Sequence, residues 1–275
     1  MTVATAGRTI RLGTRRSALA QAQSGHVAAA LERASGRRVE LVPITSEGDT
    51  NRASLSEIGG RGVFATALRE ALLRGECDLL VHSLKDLPTR IPDRLTIAAI
   101  PARADARDVA ITRDGTALHE LKSGSAIGTG SPRRIAQLHA RNPRLRAVDL
   151  RGNVDSRLKR VADGDLDAVI LAAAGLSRLH GDPHEGVEGN RDARDSSRDD
   201  REAAPDDRDA LLAGPRRDPL TGLYAESLGL AEWPTAPGQG ALAVETTVDA
   251  PADLRAALAT LDDEATRIAV TAERA

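Results

Sequence analysis

The 275-residue chain is long enough for two domains of ~100 to 150 residues with separate cores, and 38 Lys and Arg against 40 Asp and Glu leave a net charge of -2, which excludes a global basic field for nucleic acid or membrane. One Phe, one Trp and one Tyr leave almost nothing on which nucleobases could stack. One Cys excludes an internal disulfide framework or a cysteine-rich zinc site, no metal site is expected, and without a long apolar segment at either end the expectation is a soluble, cytoplasmic protein.

Through the first two-thirds of the chain, short apolar runs alternate with helical periodicity, which predicts α/β layers. The stretch TIRLGTRRSALAQ runs from a strand at Ile10 to Gly13 through a turn to Arg15, Arg16 and Ser17, at the mouth of a helix over Ala18 to Ala34. A strand at Arg38 to Thr45 follows. In IGGRGVFATAL, Gly59, Gly60 and Gly62 form a pliable loop before a helix at Val63 to Arg74, with Phe64 directly after them. A glycine-rich lid and plain turn chemistry both fit that composition. Cys77 precedes a strand at Leu79 to His82 and has no nearby His or second Cys, so an inert, partly buried thiol is expected. In LLVHSLKDLPT the strand gives way to Ser83, Lys85 and Asp86 in a loop closed by Pro88. His82 alternates in direction with that loop, which predicts a buried, hydrogen-bonded ring.

Further strands are expected at Leu95 to Ile100, Val109 to Thr112 and Ala126 to Gly128. The last of these enters AIGTGSPRRIAQL, where Ser131 fits an N-cap, Pro132 fits the first helical position, and Arg133 and Arg134 occupy the first turn. First-turn amides are unsatisfied and carry partial positive charge, so cations there are unfavourable unless an anion is bound. Helical periodicity at Ile135 to Arg141 leads to a strand at Arg146 to Leu150. VDLRGNVDSRLKR then sets Arg151 and Arg157 around the start of a helix at Val154 to Asp163, before a strand at Ala168 to Ala172. Residues 181–218 are dominated by Asp, Arg, Glu, Gly and Pro, which predicts a flexible charged insertion that buries little surface. Structure is expected to resume near Leu220, with a strand at Ala241 to Glu245 and helices at Ala252 to Leu261 and Glu264 to Ala275.

Four basic segments thus follow strand C-termini, where open α/β sheets place their ligand crevice. With two domains, a strongly cationic central cleft is the expectation. The chain has neither a G-x-x-x-x-G-K-[ST] loop nor a G-x-G-x-x-G fingerprint, so a ligand bearing several carboxylates fits better than a nucleotide. Asp86 is the carboxylate that stands next to Lys85 within the set. It fits two roles: an ionised group that stabilises a developing cation, or a turn-capping partner for Lys85.

Taken together, RLGTRRSALAQAQ, ELVPITSEGD, GGRGVFATALREALLRGECDLLVHSLKDLPT, RADARDVAIT, IGTGSPRRIAQL, LRGNVDSRL, DAVILAAAGLSRL, APGQGALAVE and TRIAVTAERA resemble the porphobilinogen deaminase (hydroxymethylbilane synthase) family. The resemblance covers nearly the whole chain outside the insertion. It implies a transferase of porphyrin and heme biosynthesis that joins four porphobilinogen molecules head to tail, with loss of ammonia, on a covalent dipyrromethane primer. By match to the family motifs, Asp86 is the catalytic carboxylate. Ser83, Lys85, Thr129, Ser131, Arg133, Arg134 and Arg157 are implied primer contacts. Arg15, Ser17, Phe64, Arg151 and Arg178 are implied contacts to the incoming porphobilinogen or the growing linear pyrrole chain. The implied fold is α/β, with two type II periplasmic-binding-protein-like domains built on mixed sheets, in a monomer. Residues 1–103 plus 232–259 form the first, and 104–231 the second with the insertion inside it. Residues 260–275 are the start of a third domain that is otherwise missing. The sequence ends at TAERA, ahead of the glycine-rich loop that carries the family's primer-attachment cysteine, and Cys77 lies in a different motif. That departure raises a second expectation, a non-catalytic polycarboxylate- or pyrrole-binding truncated paralogue.

Overall fold

The computed structural model describes residues 8–45, 63–180, 214–218 and 221–275. The chain divides into two units, Met1–Ala104 with Pro237–Ala275, and Asp105–Ala236. The glycines of the expected lid, Gly59, Gly60 and Gly62, and residues 181–213 of the expected insertion lie outside the described residues.

In the first unit, β1 (Ile10–Thr14), β2 (Val39–Pro43), β3 (Leu79–Ser83), β4 (Leu95–Ala99) and β11 (Leu242–Thr247) form one sheet in the order β2-β1-β3-β11-β4. The first three run parallel, while β11 is antiparallel to both its neighbours. Helix α1 (Ala18–Ser35) begins at Ser17, whose hydroxyl accepts from the amide of Ala20, and ends at Gly36 in the left-handed region, as a start and stop signal of this kind should. Its buried face carries Val27, Ala28 and Leu31, which join Ile10, Leu12, Leu79 and Val244 in the core. Helix α2 (Val63–Leu73) packs on β3. A single 3-10 turn, Leu84–Asp86, leaves the end of β3. Helices α6 (Ala252–Ala259) and α7 (Glu264–Glu273) complete the unit. The segment 260–275, expected as the start of a third domain, packs onto this unit. Asp263 N–H donates to Ile100 O at 2.9 Å, and Val270 shares a core cluster with Leu84, Leu87 and Ile100.

In the second unit, the sheet order is β7-β6-β8-β5-β10-β9. It is built from β5 (Asp108–Thr112), β6 (Ala126–Gly128), β7 (Arg146–Val148), β8 (Ala168–Ala172), β9 (Arg216–Arg217) and β10 (Tyr224–Leu228), with α3 (Pro132–Arg141), α4 (Val154–Ala162) and α5 (Ala173–His180). Strands β7, β6 and β8 are parallel, and β5 is antiparallel to β8. Both sheets are therefore mixed α/β sheets, the class expected. Three elements were not legible beforehand. Helix α5 follows β8 without a turn signal, and β10 (YAESL) carries Glu and Ser within its five residues. Strand β9 falls inside the segment 181–218 expected as a flexible insertion: Arg216 and Arg217, both exposed, pair with Ala225 and Tyr224 at the sheet edge. Among the described residues no helix is long and apolar enough to cross a membrane.

Candidate functional site

The basic segments sit at the C-terminal ends of the parallel strands of each sheet, and in each unit an antiparallel strand delivers its first residues to the same edge. In the first unit β11 pairs Leu242 with Ser83, so the residues just before β11 lie beside the loop that follows β3. Gln239, 1% exposed, accepts from Lys85 Nζ at 3.4 Å. Gly238 adopts φ 73°, and a Cβ there would stand 3.1 Å from Leu84 Cγ, so this close approach requires glycine. Ser83 Oγ is 3.3 Å from the Gln23 amide nitrogen. Asp86 is exposed on its 3-10 turn. On the neighbouring strand, Thr14 is buried and donates to Ala20 O at 3.1 Å. Ser17 spends its hydroxyl on the α1 cap, and Arg15 is half-buried. Phe64 stands in the first turn of α2, with its side chain outside the described residues.

His82 lies beneath this surface, and its Nε2 is 3.1 Å from Glu245 Oε2. A carboxylate can only accept, so this nitrogen carries the hydrogen. Arg69 donates to both oxygens of Glu245 at 2.7–3.1 Å. Burial works to raise the Glu245 pKa, but the bonds from His82 and Arg69 prevail and hold it below the ordinary carboxylate range. The expectation of a buried, bonded histidine therefore agrees with the geometry. Cys77 is 2% exposed, and burial pushes its thiol up to about 11, which makes it a poor nucleophile.

In the second unit, Ser131 caps α3 with Pro132 in the first turn, as its sequence implies. Arg134 does not point away from the helix mouth into solvent. Only 7% exposed, it donates Nη2 to Asp108 Oδ1 at 2.7 Å and Nη1 to Ile170 O at 2.7 Å. Arg133 Nη2 meets Asp108 Oδ2 at 2.7 Å, and Trp233 Nε1 donates to the same oxygen at 2.9 Å. Because β5 runs antiparallel to β8, with Asp108 opposite Ala172, its first residue lands at the C-terminal edge of the parallel strands. The fold thus supplies an anion where the sequence argument asked one of a ligand. Burial alone would raise the Asp108 pKa, yet the Arg134 and Arg133 charges and bonds lower it to about 2.

One carboxylate serves two guanidiniums there, and more positive charge surrounds it. Arg157 donates Nε to Gly152 O at 2.9 Å. Burial, then the neighbouring Arg134 and Arg151 charges, lower its pKa, with Asp149 opposing them. Burial also lowers Arg178, on α5, to about 10. Thr129 is buried, with its Oγ1 accepting from Ser131 N–H at 3.3 Å. Ser131 Oγ accepts from Arg134 N–H at 3.5 Å. Arg157 thus stands among like charges from Arg134 and Arg151, and donors of this kind suit a ligand that carries several carboxylates. Gln239, Asp108 and Trp233 were not singled out from sequence. The quoted APGQGALAVE and RADARDVAIT segments contain Gln239 and Asp108, but their partners depend on strand register and direction, and no quoted segment contains Trp233.

Known proteins resemble this chain along most of its length. Residues 10–190 match the family model for the porphobilinogen deaminase, dipyromethane cofactor binding domain. The porphobilinogen deaminase of Leifsonia xyli subsp. xyli is 49% identical over 269 residues, covering 97% of this chain and 70% of the relative. Porphobilinogen deaminase 1 of Streptomyces avermitilis is 50% identical over 274 residues, covering 96% and 72%. That of Cutibacterium acnes is 47% identical over 278 residues, covering 97% and 71%. Identity at this level runs through both units, and with the family model it establishes that the chain belongs to the porphobilinogen deaminase family, transferases of tetrapyrrole biosynthesis.

Proposed function

We propose that this chain performs the stepwise head-to-tail condensation of porphobilinogen, four molecules joined with loss of ammonia, with Asp86 as its catalytic carboxylate. The observation that carries this reading is the placement of Asp86. It is an exposed carboxylate on a one-turn helix at the end of β3, next to Lys85, itself within reach of Gln239.

The chemistry asks for a negative charge at that position. As the carbon–nitrogen bond of the aminomethyl group breaks, ammonia leaves with the bonding pair and positive charge spreads over the methylene carbon and the pyrrole ring. An adjacent carboxylate stabilises that charge. A pyrrole carbon then forms the new carbon–carbon bond and its displaced proton must be accepted, a second task that a carboxylate can perform. The dipyrromethane primer, when bound, supplies the pyrrole carbon from which the chain grows. In this reading Ser83, Lys85, Thr129, Ser131, Arg133, Arg134 and Arg157 hold the primer, while Arg15, Ser17, Phe64, Arg151 and Arg178 bind incoming substrate. Arg157 gains from a carboxylate, because its pKa is lowered by burial and by its cationic neighbours Arg134 and Arg151.

The test is Asp86→Asn in primer-bearing enzyme. Porphobilinogen turnover should fall about a hundredfold or more, with substrate affinity measured by calorimetry changing only a few-fold. Normal turnover in the variant would reduce Asp86 to a counter-ion for Lys85.

A further inference from the structure

The loop that carries Asp86 has little structure of its own. Its 3-10 turn spans three residues and closes with one bond, Leu87 N–H to Leu84 O at 3.1 Å. A single turn is far too short to persist on local hydrogen bonds. The described structure supplies external anchors, and several come from α7, more than 180 residues away in sequence. Arg274, directly after α7, donates Nη1 to Leu84 O at 2.8 Å and Nη2 to Leu87 O at 3.1 Å and Pro88 O at 3.0 Å. Those three carbonyls bracket Asp86 along the chain. Val270, one turn earlier, is 1% exposed and packs in the same cluster as Leu84 and Leu87. Its neighbour Glu273 accepts from Gly238 N–H at 2.7 Å and pairs with Arg103, whose Nε donates to Gln239 O at 2.8 Å. Gln239 in turn accepts from Lys85.

From this geometry we infer that Arg274 is a positioning residue for the transferase reaction: its guanidinium fixes the backbone on both sides of Asp86, so that the carboxylate is held where charge develops on the substrate. The inference rests on the reading of Asp86 as the catalytic carboxylate. A planar fork can reach several carbonyls at once, which a lysine ammonium on a flexible stem cannot hold in one geometry. Half-burying a guanidinium against carbonyls is costly, and burial does depress the Arg274 pKa. A fold gains from that expense where the position of a loop matters more than the stability of a helix end.

The test is a double-mutant cycle in primer-bearing enzyme, with hydrogen exchange as a readout independent of activity. Arg274→Ala should lower kcat for porphobilinogen about tenfold to a hundredfold, the scale of a displacement near 1 Å, with KM within about twofold. In an Asp86→Asn background the same substitution should change kcat less than about twofold, because the group it positions is gone. Amide exchange over residues 84–88 should accelerate at least about tenfold while the β3 and β11 amides stay protected, and Arg274→Lys should recover only part of the rate. Equal kcat losses in both backgrounds, or a loss matched by exchange throughout the first unit, would overturn positioning in favour of general stability. If Asp86→Asn alone is fully active, the reading of Asp86 fails, and the exchange measurement still decides whether Arg274 holds the loop. Unchanged exchange over 84–88 in both Arg274 variants would overturn the clamp itself.

Discussion

Asp108 holds two guanidiniums and an indole N–H with a single buried carboxylate. Removing one side of such a group is costly, because the other side is left buried and uncompensated. Asp108→Asn should therefore destabilise the second unit by about 3 to 5 kcal/mol. Trp233, the only Trp in the chain, touches Asp108 directly, so its fluorescence during urea denaturation measures the effect. Acid should act through the same residue. The folded pKa of about 2 lies below the unfolded value of about 3.9. Between these values the unfolded chain binds the proton more readily, so stability present in full above about pH 4 is lost as pH falls toward 2. In Asp108→Asn that part of the acid dependence should disappear. A variant whose stability falls as steeply as the parent's over this range would show that another group controls the acid transition.

Among elements, β1 and α1 show how one residue type behaves differently by location. Gly13 lies in β1, where an added Cβ would sit 2.7 Å from Leu80 Cδ2, 2.8 Å from Cys77 Sγ and 2.9 Å from Ile44 Cδ1. Three neighbours would have to move together, so Gly13→Ala should cost about 1 to 3 kcal/mol despite its better strand propensity. Gly25 lies within α1 with nothing inside 4 Å of its Cβ position. There the same change should stabilise by about 0.5 to 1 kcal/mol. The two urea midpoints should move in opposite directions, and movement in the same direction would mean that packing around Gly13 is looser than its distances indicate. The helix-mouth arginines follow similar logic. Ser131 and Pro132 determine where α3 starts, but an antiparallel strand determines what Arg134 bonds.

At the scale of the whole molecule, net charge is -2 while the ends of the parallel strands carry clustered arginines. Binding of anions should therefore depend on local charge and weaken as salt screens it. Raising sodium chloride from about 0.01 M to about 1 M shortens the screening length from ~30 Å to ~3 Å, so affinity for a linear polycarboxylated tetrapyrrole should fall by about tenfold or more. Salt-independent affinity, measured by fluorescence titration, would remove the arginines as the principal contacts. The Arg274 clamp belongs at this scale too, since it joins a turn after β3 to a helix near residue 270.

The sequence by itself determined the family, the mixed α/β class, the N-cap of α3, and the location of Asp86, Lys85 and the arginines after strand ends. These are local properties, written in periodicity, cap chemistry and contiguous motifs. It did not contain the pairing of Asp108 with Arg133 and Arg134, the link from Gln239 to Lys85, or the hold of Arg274 on the carbonyls around Asp86. It also missed β10 and α5, whose short segments lack clear boundary signals. Those pairings depend on which strand lies beside which and in what direction. Reversing β5 or β11 would carry Asp108 or Gln239 to the opposite edge of its sheet, with every residue unchanged. Only the tertiary structure decides register and direction, because they come from burying whole faces of helices and sheets together rather than from any single stretch of chain.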